Sequence, residues 1–108
     1  MAERLPPALE LSLYRIIQEA LTNVEKHSAA TAVEINLTAE ETSVLLQISD
    51  NGCGFAPAQA ARPDSGLGLL HMRERASLVG GVFSMTTAPG KGVQLLVQAP
   101  INRMEAIL

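Results

Sequence analysis

Aromatic side chains are almost missing from this 108-residue chain, which has one tyrosine, two phenylalanines and no tryptophan. Its net charge is −3. Stacking surfaces and basic patches are what nucleic acid selects, so both shortages argue against a nucleic-acid partner. A lone cysteine, Cys53, excludes an internal disulfide and fits a reducing, cytoplasmic setting. No apolar run approaches the roughly 20 residues that cross a bilayer, and no signal-peptide pattern opens the chain. No repeat, low-complexity tract or linker divides it. What is present is 47% apolar residues, enough for one packed domain over residues 1–108 but too little chain for two cores.

Hydrophobic periodicity sketches the architecture. From about Pro7 to Ser28, Leu13, Ile16, Ile17, Ala20, Leu21 and Val24 recur at helical spacing. Val33-Ile35-Leu37 and Val44-Leu46-Ile48 alternate instead, joined by the polar turn Ala39-Glu40-Glu41-Thr42, which predicts a β-hairpin with one apolar face. Asn51–Ser65 carries Gly, Pro and Asp without periodicity and reads as a loop, placed to serve as a movable lid. A second helix is expected from Gly66 or Leu67 to the stop at Gly80-Gly81, with Leu69, Met72, Ala76 and Val79 facing the core. Two last strands, about Val82–Thr87 and Val93–Ala99, flank Ala88-Pro89-Gly90-Lys91-Gly92. The expected fold class is α+β, a two-layer sandwich with both helices on one face of a mixed sheet.

On the first helix, Glu19, Asn23 and His27 follow i, i+4, i+8 spacing and form a slanted polar line beside the apolar stripe, with Lys26 close to it. A carboxylate and an amide oxygen one turn apart suit Mg²⁺, which takes few protein ligands together with phosphate oxygens and water. Lys26 adds a point charge for phosphate. Taken alone, the same pattern is more readily a solvated helix face, and His27 more readily a partner for the helix C-terminus.

The second strand is more specific. Val44, Leu46 and Ile48 share a face, and the same parity carries Asp50 inward beneath the helices. A carboxylate there is costly unless it is hydrogen-bonded. A carboxylate accepting from an exocyclic amine would select adenine over guanine, which offers a carbonyl in the corresponding place. Gly52 and Gly54 would let backbone approach a purine closely. Gly66-Leu67-Gly68 precedes a helix start, where free N–H groups favour phosphate, although glycines that merely end a loop look the same. Neither a Rossmann fingerprint nor a Walker loop is present.

Together, Gln18-Glu19-Ala20-Leu21-Thr22-Asn23 with Lys26-His27, Asp50-Asn51-Gly52-Cys53-Gly54-Phe55, and Gly66-Leu67-Gly68-Leu69 with Met72-Arg73-Glu74-Arg75-Ala76 resemble a known pattern. The chain is similar, from about Leu5 to Ile101, to the ATP-binding catalytic domain of bacterial sensor histidine kinases, in the superfamily that includes gyrase and the mismatch-repair ATPases. The nearest resemblance is to the nitrate-sensor and DesK-like branch. It implies that Asn23 ligates Mg²⁺ bridging the ATP phosphates and that Glu19 acts as general base or orients the attacking group. Lys26 and His27 would lie near phosphate, Asp50 would accept from the adenine amine, and Gly52, Gly54, Gly66, Gly68, Leu69 and Gly92 would shape the pocket and lid. The implied reaction is transfer of the γ-phosphoryl group to a histidine on a separate dimerisation domain, with a response regulator downstream.

Three departures accompany the resemblance. Val93 follows Gly90-Lys91-Gly92 where the pattern has threonine. The pattern carries further chain, including a strand, before Leu5, so this reads as a segment of a longer kinase. Neither His27 nor His71 sits in a phosphoacceptor context. Two other functions share the fold: an anti-sigma-factor serine kinase, and a nucleotide-binding regulator without kinase activity.

Overall fold

The computed structural model describes residues 5–60, 62 and 64–101. Helix α1 (Pro7–Asn23) starts on a proline at its first position, where the missing N–H costs nothing. Its stripe of Leu9, Leu13, Ile16 and Ala20 is buried. The helix does not end at Asn23 but widens into one π-helical turn, Val24–Ser28, closed by Ala29 in the left-handed conformation at φ 54°. The helical range expected from periodicity is therefore met, but its last turn is not α-helical.

Strands β1 (Val33–Ala39) and β2 (Ser43–Asp50) form the expected hairpin. The loop after β2 contains a short helix that its composition concealed, α2 (Pro57–Ala60), which buries Ala60. Two residues of that loop, Ala61 and Pro63, lie outside the described residues. Helix α3 (Leu69–Leu78) begins later than expected, because Gly66 and Gly68 both hold positive φ and cannot join a right-handed helix. It ends as the sequence indicates. The Gly81 N–H reaches the Ala76 carbonyl at 2.8 Å and the Gly80 N–H reaches Ser77 at 3.0 Å, a Schellman closure with Gly80 at its left-handed position. Strands β3 (Val82–Thr87) and β4 (Val93–Pro100) complete the sheet.

The sheet order is β1-β2-β4-β3, and every described pair is antiparallel. The expected two-layer α+β arrangement holds, but its sheet is not mixed among the described residues. β2 and β3 run in the same direction after their long connection, yet β4 enters between them and pairs with both, so no parallel ladder forms.

Register then sets out the core in rows across the inner face. Leu37, Leu46, Val97 and Phe83 form one row; Ile35, Ile48, Leu95 and Met85 the next; Val33, Asp50, Val93 and Thr87 the last. Helix α1 packs on α3 and β2, and α3 on β3 and β4. The helix layer does not reach across β1, so Ile35 and Leu37 keep the inward parity but remain 40% and 49% exposed. Ile16 and Leu46 are fully buried at the centre. Ile16→Ala should lower unfolding free energy by about 2–5 kcal/mol, read as a fall in the urea midpoint with unchanged slope.

Candidate functional site

The last row of the sheet is where apolar packing gives way to polar groups. Asp50 closes β2 on its buried face, and its Oδ1 accepts the Gly52 N–H at 2.8 Å. That bond is the Asx-type turn that an Asp-Asn-Gly sequence favours, and it satisfies one carboxylate oxygen. Among the described residues no protein donor reaches the other. Asn51, beside it, turns outward: its side chain accepts from the Thr31 and Ala32 N–H groups and donates to the Thr31 hydroxyl, holding the chain before β1 against the end of β2.

Asn23 occupies the end of α1. Its Nδ2 donates to the Leu67 carbonyl at 2.7 Å, which fixes the orientation of the amide because a carbonyl can only accept. The Oδ1 thereby faces away from that bond, with no protein donor among the described residues. Asn23 and Asp50 line the same cavity, about 390 Å³ when open solvent is counted but only about 20 Å³ where a water-sized sphere fits. Its walls are otherwise apolar, with Phe55, Leu67, Met85 and Val93 prominent among them. As it stands the space has room for about one water, so a flat base would have to part these apolar walls to enter.

A second, wider cavity adjoins it. It holds about 1660 Å³ including open solvent, shares Leu69 and Met85 with the first, and is lined by Glu19, Arg62, Gly66, Gly68 and Arg73 among others. Glu19 lies against the start of α3, where a Cβ on Gly68 would strike its carboxylate. A negative group there also complements the helix dipole. No cluster of three or more His, Cys, Asp or Glu side chains suited to a metal occurs among the described residues. A cation at Asn23 would accordingly draw most of its ligands from phosphate and water, as Mg²⁺ does.

The glycines divide by neighbour. A side chain on Gly52 would collide with Ser28, one on Gly54 with the Ala88 and Gly92 carbonyls, and one on Gly92 with the Asp50 carbonyl. These three hold protein backbone against protein backbone, which differs from the expected close approach of a purine. Gly66 meets nothing within 4 Å, so only its φ of 79° calls for glycine.

Lys26 and His27 depart from expectation. Both are exposed and line neither cavity. The reason is the π turn: an i→i+5 step inserts one extra residue per turn, about 100° of rotation against α spacing, and breaks the Glu19–Asn23–His27 line.

Three contributors escaped the sequence reading. Ser28, 2% exposed, donates to the Val24 carbonyl at 3.2 Å and accepts from the Ala30 N–H at 3.1 Å, while its backbone carbonyl accepts the Cys53 N–H at 2.7 Å. Leu67, 3% exposed, puts its side chain in the wall of the first cavity. Thr87 stands directly across from Val93 in the ladder. Its hydroxyl accepts the Phe55 N–H at 2.9 Å and donates to the Gly92 carbonyl at 2.8 Å. The hydroxyl missing at Val93 thus has a counterpart one strand over, tying the base of the loop to the last turn.

With that geometry, a family model for histidine kinase-, DNA gyrase B- and HSP90-like ATPases matches residues 8–103. The chain belongs to this ATPase family. It is 34% identical over 103 residues to the signal transduction histidine-protein kinase/phosphatase DegS of Brevibacillus brevis, covering 95% of this chain and 26% of that protein. To the sensor protein VraS of Staphylococcus haemolyticus it is 38% identical over 100 residues, covering 93% of this chain and 28% of VraS. It spans roughly a quarter of the length of these curated relatives. In the crystal structure of the ATP binding domain of PrrB from Mycobacterium tuberculosis the fold recurs with a TM-score of 0.68 and 28% identity, over 85% of this chain and 68% of that one. The chain is therefore an ATP-binding domain of the histidine-kinase-like ATPases, with the α+β sandwich of that family.

Because both Thr87 bonds are half-buried, Thr87→Val leaves the Phe55 N–H and Gly92 carbonyl unpartnered and should cost about 1–3 kcal/mol of stability. Thr87→Ser should keep most of it. Thermal melts of the two variants against the parent check this, and equal melting for Thr87→Val would show that the hydroxyl holds nothing.

Proposed function

We propose that this chain is the catalytic domain of a longer sensor histidine kinase of the nitrate-sensor and DesK-like branch. It binds ATP with Mg²⁺ and donates the γ-phosphoryl group to a histidine on a separate dimerisation domain, with a response regulator as the next acceptor and the cytoplasm as its setting. The observation that carries this reading is the shared cavity of Asp50 and Asn23. A base recognised by the carboxylate would leave its phosphates pointing along Leu69 toward Glu19, Gly66 and Gly68 in the wider cavity.

The roles follow from the groups. The unpartnered Asp50 oxygen accepts from the exocyclic amine of adenine, and the apolar walls hold the ring. The Asn23 Oδ1 is a hard oxygen ligand for Mg²⁺, held in position by the bond from its own Nδ2 to Leu67. When bound, Mg²⁺ neutralises charge on the phosphate oxygens. Gly66 and Gly68 leave the backbone before α3 bare of side chains, so that its N–H groups can face phosphate. Glu19 accepts the N–H of the attacking imidazole. The imidazole's other nitrogen forms the new P–N bond, the bond from the γ-phosphorus to its bridging oxygen breaks, and ADP leaves. Lys26 and His27, outside both cavities, receive no role. Support for histidine rather than serine as acceptor comes from relatives named as histidine kinase and sensor protein, and from Met72-Arg73-Glu74-Arg75-Ala76.

Calorimetry with ADP, with and without Mg²⁺, tests the assignment. Asp50→Asn should weaken ADP by about 10- to 100-fold, the worth of a charged hydrogen bond, and narrow the preference over GDP. Asn23→Ala should abolish the gain in affinity that Mg²⁺ confers. Parent-like binding in both variants would falsify the site.

A further inference from the structure

The two edges of the sheet are finished differently. On β3, Arg73 of α3 donates to the Phe83 carbonyl at 3.3 Å, with its guanidinium 5.4 Å from the centre of the Phe83 ring. On β1 the only ladder partner is β2, and among the described residues no backbone bond outside that ladder reaches Val33–Ala39. Exposed edges are usually blunted by proline, a bulge, lysine or shortness. β1 is seven residues long, contains no proline, glycine or lysine, and has Glu34 as its single charge. Its inner face is bare as well. Helix α1 turns Arg15 and Glu19 toward α3. At about 100° per residue, Tyr14, Ile17 and Leu21 then fall on the opposite flank, the side on which β1 lies. Tyr14 (57% exposed) and Leu21 (41%) thus stand above Ile35 and Leu37, an open apolar strip running along an open edge.

We infer that β1 pairs antiparallel with β1 of a second copy of this chain, joining two four-stranded sheets edge to edge. The strand is complementary to itself, and its sequence commits to one register. Pairing Val33–Ala39 with itself over its whole length places a two-fold axis at Asn36. Ile35 then stands opposite Leu37 of the copy, Glu34 opposite Thr38, and Val33 opposite Ala39. Residues directly opposite share a face, so both helix layers lie on one side of the joined sheet and the exposed aliphatic side chains meet each other. Charge agrees with this register. Glu34 faces a threonine, and beyond the strand Glu40 and Glu41 face Ala32 and Thr31, so two chains of net charge −3 associate without opposing carboxylates. Centring the axis on Leu37 instead would set Glu34 against Glu40, and centring it on Ile35 would pair only residues 33–37 of the strand. No β1 residue lines either ligand cavity, so the pairing leaves both open.

Sedimentation equilibrium of the whole chain should give a dimer that dissociates on dilution. Ile35→Lys and Leu37→Lys, each at an exposed position, should both sediment as monomers with the circular dichroism of the parent. Ser84→Lys, on the exposed outer face of β3, should remain dimeric. Cross-linking then reads the register in a Cys53→Ser background. Asn36→Cys puts two Cα atoms about 4.5–5.5 Å apart across the axis, inside the range a disulfide spans, and should oxidise to a covalent dimer. Thr38→Cys alone should not, because its counterpart lies roughly 13 Å along the strand. Thr38→Cys mixed with Glu34→Cys should cross-link. A chain that stays monomeric at its highest soluble concentration would give the edge to a strand of other sequence and overturn the inference. So would a dimer indifferent to both β1 lysines, self-linking of Thr38→Cys, or open-ended oligomers, since a two-fold edge closes after one pairing.

Discussion

The site depends on the register of β2. This strand has neighbours on both edges, and three aliphatic side chains fix which way it faces. Asp50 inherits that orientation by parity. A slip of one residue would bury Leu45, Gln47 and Ser49 and turn the carboxylate to the outer face, so the hydrophobic preference of Val44, Leu46 and Ile48 is also what aims the acid. The cost of drawing a carboxylate toward the core is offset locally, because the turn that leaves β2 gives back the Gly52 N–H. Under the proposed function, core packing and base recognition are one decision at this residue.

From that fixed point the other turns are assembled by close contact of backbone. Gly92 lies on the Asp50 carbonyl, Gly54 on Ala88 and Gly92, and Gly52 on Ser28. The end of α1, the end of β2 and the β3–β4 turn can approach this closely only without side chains. The Cys53 N–H on Ser28 and the Gly90 N–H on the Cys53 carbonyl then lock the three segments in sequence. Thr87 fastens the same corner from the β3 side. A pocket walled this way is preorganised at its closed end, while its mouth is formed by a loop and the start of α3.

Much of this was legible because it is periodic. Period two aimed Asp50, period 3.6 found both helices, and paired glycines marked the limits of the second. Non-periodic features were not. The π turn is invisible to a pattern that assumes 3.6 residues per turn, so Lys26 and His27 were placed on a line that the structure breaks. The four-residue helix Pro57–Ala60 is too short to repeat anything. The sheet was expected to be mixed because the sequence states strand directions only through connection lengths, and it does not reveal which strand inserts between which. Leu67 read as a residue between two glycines, and only tertiary contact shows its carbonyl holding Asn23 and its side chain walling the cavity.

Charge was the least legible quantity of all. In the chain, Arg15 is separated from Arg73 and Arg75 by most of the domain, and the net charge is negative. Folding α1 against α3 brings them round Glu19. Under the proposed function, a carboxylate in this position would order the attacking group while the positive charge nearby favoured the phosphates. Leu69 stands between that region and the apolar cavity of Asp50, lining the one and walling the other. Under the proposed function, base recognition and phosphoryl donation therefore fall on different faces of the same short stretch of chain, Gly66 to Leu69.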